Sequence, residues 1–154
     1  MEIENIAKEL LNISEYINIA TATSSGEPWN TPATGVHDKE LNFYWSSWKE
    51  ANHSINVRAN PKVFITLYDS TRKRGDNHRK CLYIKAIASE VTNTSDIEKA
   101  MSLLYVEHST NRETSMFLGE AQRRIYKAIP SQIWLNDKSE REVTKETIKM
   151  RIEV

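Results

Sequence analysis

Apolar positions at the start of the chain follow first a helical and then an alternating period. Over residues 2–12 they recur every three or four positions, which predicts an amphipathic helix. The β-branched residues Ile17, Ile19 and Thr21 then occupy alternate positions. That spacing is typical of a strand with one buried face. The chain therefore begins with a predicted helix followed by a predicted strand.

Two turns follow this first strand. The segment 24–28 contains a glycine and a proline, and the segment 37–40 is short and polar, so both have the chemistry of tight turns. They separate predicted strands over 29–36 and 41–45. Since Pro32 has no backbone N–H, we expect the second strand to be an edge, to be bulged, or to leave one position open. The three strands form a predicted antiparallel meander.

Two S-x-x-E motifs have the pattern of helix capping boxes. Ser47 with Glu50 and Ser95 with Glu98 would each place a serine at the start of a helix and return a glutamate side chain to it. We expect the first of these helices to end near Arg58, because an Asn-Pro pair follows.

The remaining apolar runs alternate and predict further strands, one of them interrupted by a proline. Six or seven antiparallel strands with helices in their connections predict an α+β fold that is mainly β and closes into a small barrel. A length of 154 residues is typical of one domain, so we expect a single domain over residues 1–154. The predicted strands lie at 62–69, 81–91, 124–135 and 148–154.

Composition excludes several classes of protein. Lys plus Arg and Asp plus Glu number 21 each, whereas nucleic-acid and anionic-membrane binders normally carry a basic excess. The uncharged run that contains 17–26 is too short and too polar to span a bilayer. A single cysteine, Cys81, cannot form an internal disulfide. We therefore expect a cytoplasmic protein with no nucleic-acid or membrane partner.

Metal and nucleotide motifs are missing from the sequence. It has no H-x-x-x-H or C-x-x-C spacing, no G-x-G-x-x-G and no P-loop, so we expect no metal site and no Rossmann or nucleotide-hydrolase domain. Cys81 has no neighbouring base in sequence that would favour a nucleophilic role. The histidines are widely separated, at His37, His53, His78 and His108.

Hydroxyl and amide side chains cluster around the first predicted capping box. Ser46 and Ser47 would lie where a strand meets the free amides of a helix start, which favours anion binding. Asn52 and His53 could add donors from the helix. The alternative is that Ser47 only caps the helix and that His53 is solvated.

Two further groups have a structural and a functional interpretation. The first group is a set of five basic residues between positions 72 and 80. It forms either a solvated loop or a clamp for a phosphorylated substrate or a reduced nicotinamide nucleotide. The second group is the four tryptophans. They pack either in the core or in an interface between subunits, or they belong to a ligand site. The basic residues are Arg72, Lys73, Arg74, Arg79 and Lys80, and the tryptophans are Trp29, Trp45, Trp48 and Trp134.

The order of motifs resembles the FMN-binding split β-barrel family of pyridoxamine 5′-phosphate oxidase. The motifs are Gly26-x-Pro28, Thr31-Pro32, the strand end F-Y-W-S-S, the run N-H-S-I-N-x-x-x-N-P-x-V, and the segment 126–137. The resemblance implies a six- or seven-stranded antiparallel split β-barrel with peripheral helices. It also implies a homodimer with FMN at the interface.

The resemblance also implies the positions of the cofactor contacts. Main-chain groups of the second strand would address the polar edge of the flavin ring, and the end of the third strand would flank the ribityl chain and the phosphate. Trp134 or Trp48 would approach the flavin from the partner subunit. Asn52 and His53 stand where many relatives carry Arg and Lys, which is a departure from the family pattern. The implied contacts are Thr31, Pro32, Ala33, Thr34, Trp45, Ser46, Ser47, Asn52, His53 and Trp134.

The resemblance implies an FMN-dependent oxidoreductase or flavin reductase that uses a reduced nicotinamide nucleotide as donor. No side chain stands out as an acid or a base, so no catalytic residue is assigned. The alternatives are a non-catalytic flavin-binding or stress-related protein, and the same fold with the deazaflavin F420 or with haem. Pyridoxamine 5′-phosphate oxidase activity itself is disfavoured, because the C-terminal segment has only Arg151 to hold a substrate phosphate.

Overall fold

The computed structural model describes residues 2–76, 80–106, 111–136 and 151–153. For residues 2–4 and 151–153 it describes the backbone only. Three α-helices and seven strands are defined in these ranges, with a 3₁₀ turn at Thr114–Phe117. The helices are α1 (Glu2–Ile13), α2 (Asn52–Ala59) and α3 (Thr94–Leu104). The strands are β1 (Tyr16–Ala22), β2 (Pro28–His37), β3 (Phe43–Trp48), β4 (Lys62–Tyr68), β5 (Cys81–Glu90), β6 (Arg123–Asn136) and β7 (Arg151–Glu153).

The strands form one antiparallel sheet in the order β3-β2-β1-β4-β5-β6-β7. An additional pairing between β3 and β6 joins the two ends of the first six strands and closes them into a barrel. The mainly β, α+β barrel with helices in its connections is therefore confirmed. Of the predicted last strand, 151–153 pair with β6, while 148–150 and 154 lie outside the described residues. Within those residues, no helix has both the length and the apolar character needed to cross a membrane.

Alternating side chains of the strands fill the barrel, as the period of two predicted. Ile17, Ile19 and Ile65 are among the fully buried residues of this main cluster. A second cluster lies between α3 and the outer face of β3, where Tyr44 packs with Ile97 and other buried residues. Because both faces of the first half of β3 are covered, Phe43, Tyr44 and Trp45 are all buried.

The prediction that Ser47 caps a helix is wrong. β3 continues to Trp48, because it pairs with β6 as far as Arg123, and Ser47 lies opposite Arg124. Helix α2 begins four residues after this strand ends, with Ala51 at its N-cap and no side-chain capping bond. The predicted end of this helix is correct.

The second capping box is also displaced. Asn93, rather than Ser95, caps α3, and its Oδ1 atom accepts the backbone N–H of Asp96 at 2.8 Å. Asparagine and serine are both good N-caps. Either side chain can accept the backbone N–H of the residue three positions after it, so the helix can start at either place. The helix therefore exists where it was predicted, but it starts one residue after Asn93.

The proline in the last long strand does not interrupt it. β6 runs through Pro130, and the register shifts by one residue between Lys85 and Ala86 of the partner strand. Ser131 is the extra residue of this bulge, and its hydroxyl donates to the Lys85 carbonyl at 3.2 Å. A bulge accommodates the missing donor of a proline without ending the strand.

The pairing partner of β2 changes at Gly35. Residues up to 34 pair with β1, and residues from Gly35 onward pair with β3. The Gly35 N–H donates to the Glu15 carbonyl at 3.4 Å, and Gly35 pairs with Trp45. A Cβ atom at this position would lie 2.5 Å from Cδ1 and 2.7 Å from Cγ1 of the buried Ile17. No side chain fits here without displacing Ile17.

We expect Gly35→Ala to lower the free energy of unfolding by about 1–3 kcal/mol, the usual cost of overpacking a core. Urea denaturation followed by circular dichroism measures this cost. Repeating the substitution in an Ile17→Val background removes the closest atom, so the cost should be smaller there. An equal cost in both backgrounds would show that the contact with Ile17 is not the cause.

Candidate functional site

One edge of the barrel sheet is open along the first half of β2. Residues 28–34 pair with β1, whereas β3 pairs only with 35–37, and no described strand covers the other side of 28–34. The N–H of Gly35 points to β1. Backbone groups alternate in direction along a strand, so those of Asn30, Pro32 and Thr34 face the open edge. Of the three alternatives for the strand that holds Pro32, the structure shows an open position: β2 lies between β3 and β1, and one side of residues 28–34 is uncovered. The open side leaves backbone donors and acceptors for a ligand.

A groove of about 380 Å³ lies beside this open edge. It is formed by parts of β2, β3 and α2 that are distant in sequence, together with the C-terminal end of α3 and two arginines. The described residues that line it include no carboxylate. The lining residues are Thr31, Pro32, Ala33, Thr34, Ser46, Ser47, His53, Leu104, Tyr105, Arg112 and Arg123.

Three residues of the predicted contact set do not line the groove. Trp45 is completely buried and stacks on Tyr126, with ring centroids 5.5 Å apart. Asn52 is exposed in the first turn of α2. Trp134 stacks on Phe64 at 6.2 Å, in the part of β6 beyond its bulge. The other predicted contacts are brought together by the fold.

The pairing of β3 with β6 places a cation beside the two serines. Arg123 begins β6 opposite Trp48, and its Nε atom donates to the Ser46 hydroxyl at 3.3 Å. Its guanidinium also lies 5.9 Å from the centre of the Trp48 ring. The Trp48 side chain is exposed, so the guanidinium lies at the mouth of the groove. A permanent positive charge is thus held next to the Ser46 hydroxyl.

A second cation lies at the wall formed by α3. The guanidinium carbon of Arg112 is 4.0 Å from the centre of the Tyr105 ring, a close cation–π contact. Sequence reasoning missed Arg112 and Arg123, because neither belongs to a motif and Arg123 is 77 residues from Ser46. The available signal was the position of Arg123 immediately before the predicted strand 124–135.

His53 contributes an imidazole from the first turn of α2. The residue is 6% exposed, and its Nε2 atom has no hydrogen-bond partner. Burial lowers the pKa of His53 below its ordinary value, so the ring is neutral at pH 7. The alternative of a solvated His53 is therefore wrong. His53 also lines the groove, so its buried Nε2 atom is a polar group that still lacks a hydrogen-bond partner at a candidate ligand site.

The combined chemistry of the groove favours an anion. Two guanidinium groups, two serine hydroxyls and one imidazole converge on it, and arginine with hydroxyl donors is a usual binding set for phosphate.

No group of three or more His, Cys, Asp or Glu able to hold a metal occurs within the described ranges.

The basic loop after β4 is tied to its own carboxylates. Arg72 forms ion pairs with Asp69 at 3.0 Å and with Asp76 at 3.3 Å. Lys80 lies 3.6 Å from Glu9 of α1. Arg79 lies outside the described residues, as do His78 and His108. Arg72 and Lys80 thus have structural partners, which favours the interpretation of this segment as a solvated loop.

A closed six-stranded antiparallel barrel with a polar groove beside an open strand edge defines the split-barrel class of proteins. The sequence model of pyridoxamine 5′-phosphate oxidase matches residues 3–148, nearly the whole chain. The chain belongs to this family. No curated protein sequence matches it.

Several solved structures share the fold. A haem storage protein of Vibrio cholerae is 21% identical with a TM-score of 0.68, over 86% of this chain and 94% of that one. A Listeria innocua protein provisionally named pyridoxamine 5′-phosphate oxidase is 19% identical with a TM-score of 0.68, over 88% and 99%. A haem-binding protein of Mycobacterium smegmatis is 12% identical with a TM-score of 0.71, over 88% and 54%. At these identities the likeness concerns the fold alone.

Proposed function

We propose that the protein binds FMN in this groove and is an FMN-dependent oxidoreductase, with flavin reductase as the specific activity. The observation that carries the proposal is the meeting of an open backbone edge with a cationic, hydroxyl-lined end in one groove. FMN has the complementary pair of features, a flat ring with a polar edge and a terminal phosphate. Family membership supports the same cofactor.

Different residues of the groove would bind different parts of FMN. Arg123 and Ser46, already joined by a hydrogen bond, would hold the phosphate together with Ser47. The Pro32 carbonyl and the Thr34 N–H would meet acceptors and donors of the ring edge. When bound, FMN supplies hydride and electron transfer, while the protein orients it and tunes its electronics. The unpartnered Nε2 atom of His53 fits this assignment, because a phosphate oxygen would give it a partner.

A second copy of the chain would complete the site in our proposal. Trp29 and Trp48 are 46% and 57% exposed, and the backbone edge of residues 28–34 is uncovered. Large aromatic side chains next to unpaired strand groups favour association with another surface. The proposed state is a homodimer, with a reduced nicotinamide nucleotide as the hydride donor.

Titration of flavin fluorescence tests the phosphate site. We expect Arg123→Gln to raise the Kd for FMN by about ten- to a hundredfold, since a hydrogen bond to a charged group contributes about 1.5–3 kcal/mol. Lys62→Gln removes an exposed positive charge outside the groove and is the matched control. Equal weakening in both variants would indicate a general charge effect, and an unchanged Kd in Arg123→Gln would place the phosphate elsewhere.

Two observations separate this proposal from its alternatives. The absorbance of the purified protein distinguishes flavin bands from the Soret band of haem, the ligand named for two proteins of the same fold. The deazaflavin F420 is distinguished by its own absorbance spectrum. Steady-state oxidation of a reduced nicotinamide nucleotide distinguishes an enzyme from a flavin-binding protein without turnover. Bound FMN without turnover for any donor would favour the non-catalytic alternative.

A further inference from the structure

We propose that His53 couples the binding of a phosphate monoester to the uptake of one proton, and thereby makes the groove selective for a dianionic phosphate. This inference rests on the proposed function, because it takes FMN as the ligand. It goes beyond that function by assigning His53 a role in specificity and by predicting how the affinity for the cofactor depends on pH.

The geometry places an unpartnered imidazole among anion-binding groups. His53 is 94% removed from solvent, and its Nε2 atom has no hydrogen-bond partner. It lines the same groove as Ser46, Ser47 and Arg123. It also lies in the first turn of α2, where free backbone amides add positive potential and no acidic residue opposes it.

The groups around His53 give it no counter-charge in the free protein. Helix α2 packs on β1, β2 and β5, and Tyr126 of β6 interacts with Ser54, the residue after His53. None of these strands contributes a carboxylate to the lining of the groove. The charged groups in the lining are Arg112 and Arg123, and Tyr105 is the other titratable residue there. Burial opposes an imidazolium ion and lowers the pKa of His53, so the ring is neutral at pH 7 when the groove holds no anion.

A bound dianion reverses this balance. Two negative charges next to the imidazole favour its protonated form, so the pKa of His53 is higher in the complex than in the free protein. Binding then takes up a proton at any pH between the two values. By linkage, affinity falls with rising pH between the pKa of free His53 and its pKa in the complex, by at most about tenfold per pH unit for one proton, and levels off above the higher value.

The ligand's own titration has the opposite effect and lies in a different range. A phosphate monoester loses its second proton near pH 6, which by itself improves binding of the dianion as the pH rises. Measurements between pH 6.5 and 8.5 therefore report mainly on the protein. Riboflavin has the same ring without the phosphate, so its binding should not involve His53.

The test is the Kd for FMN across this pH range, with riboflavin as the comparison ligand. We expect the Kd for FMN to rise with pH within this range, by up to about tenfold per pH unit while the pH lies between the two pKa values of His53, and the Kd for riboflavin to stay constant. Calorimetry of the unmodified protein in buffers of different ionisation enthalpy should show uptake of up to one proton per FMN. His53→Gln keeps a hydrogen-bond donor but does not titrate, so its Kd for FMN should be independent of pH.

Each outcome bears on the proposal. FMN binding without proton uptake would overturn it and leave the proposed function intact, and so would a pH slope that persists in His53→Gln. Failure to bind FMN at any pH would overturn both. The calorimetric measurement uses the unmodified protein, so the proposal stays falsifiable even if the variant does not fold.

Discussion

We expect Asp38→Ala to lower the free energy of unfolding by about 3 kcal/mol at pH 7. The Asp38 side chain is 7% exposed and accepts hydrogen bonds from Asn42, Tyr44 and Lys99, at 2.9–3.2 Å. Removing it leaves the buried Tyr44 hydroxyl and the backbone N–H of Asn42 without acceptors, at about 1–3 kcal/mol for each unsatisfied group, while the Asn42 side chain keeps only Glu40, at 3.3 Å. Urea denaturation at pH 7 measures the loss.

The same carboxylate predicts a pH dependence. Burial alone would raise the pKa of Asp38, but the hydrogen bonds from Asn42, Lys99 and Tyr44 outweigh it and hold the pKa well below its ordinary value. A carboxylate whose pKa is lower in the folded state stabilises the protein above the unfolded value near 3.9, and this contribution is lost as the pH falls below it. The stability difference between wild type and Asp38→Asn should therefore shrink between pH 5 and pH 2.

Lys99→Met is the control for Asp38. The Lys99 side chain is about half exposed, and such ion pairs contribute roughly 0–1 kcal/mol. The smaller loss in Lys99→Met would show that the buried hydrogen bonds provide most of the effect. Equal losses in the two variants would instead assign the stability to the ion pair between β2–β3 and α3.

The second large effect is expected at Arg124. Its guanidinium donates to the Glu90 carboxylate at 2.7 Å and to the carbonyls of Gly119, Ala121 and Arg123, and the residue is 8% exposed. Arg124→Met would leave these acceptors without donors, and breaking such a buried charged network costs about 3–5 kcal/mol. Thermal and urea denaturation measure the loss.

Arg124 also fixes the chain immediately before the groove. Because it holds the segment 119–123 against β5, its loss should displace Arg123 and weaken FMN binding as well as stability. Arg124→Lys retains the charge but not the planar fork of donors, so we expect it to lose most of the same stability. Lys127→Met, on the same strand, is the control. A full rescue by lysine would show that charge alone, and not the set of carbonyl contacts, is required.

Alternation in the sequence was sufficient to predict the strands that have one buried face. In β1, β4 and β5 every second residue is buried, because the inner face of the barrel is apolar and the outer face meets solvent. An incomplete ladder at β2 was also among the expected alternatives, since Pro32 has no N–H to donate on its open side. Both properties depend on single side chains and on the local backbone.

The start of α2 could not be predicted in this way. S-x-x-E at Ser47 is a valid local capping pattern, but the pairing of β3 with β6 satisfies the same backbone groups first. That pairing joins residues about 80 positions apart, and no local signal reports it. The start of α3 differed for a smaller reason, because Asn93 and Ser95 are both suitable caps within two positions.

Some residues of the candidate site were likewise predictable from the sequence, and others were not. The motifs around Thr31, Ser46 and His53 indicated one end of a cofactor groove, since their order along the chain resembles that of a known family. By itself the sequence thus determined the alternating strands and one polar half of the groove, and it limited the strand of Pro32 to an edge, a bulge or an open position. Only the tertiary structure supplied Arg112 and Arg123 and buried His53, because the closing strand pair β3–β6 and the end of α3 bring distant residues to one surface.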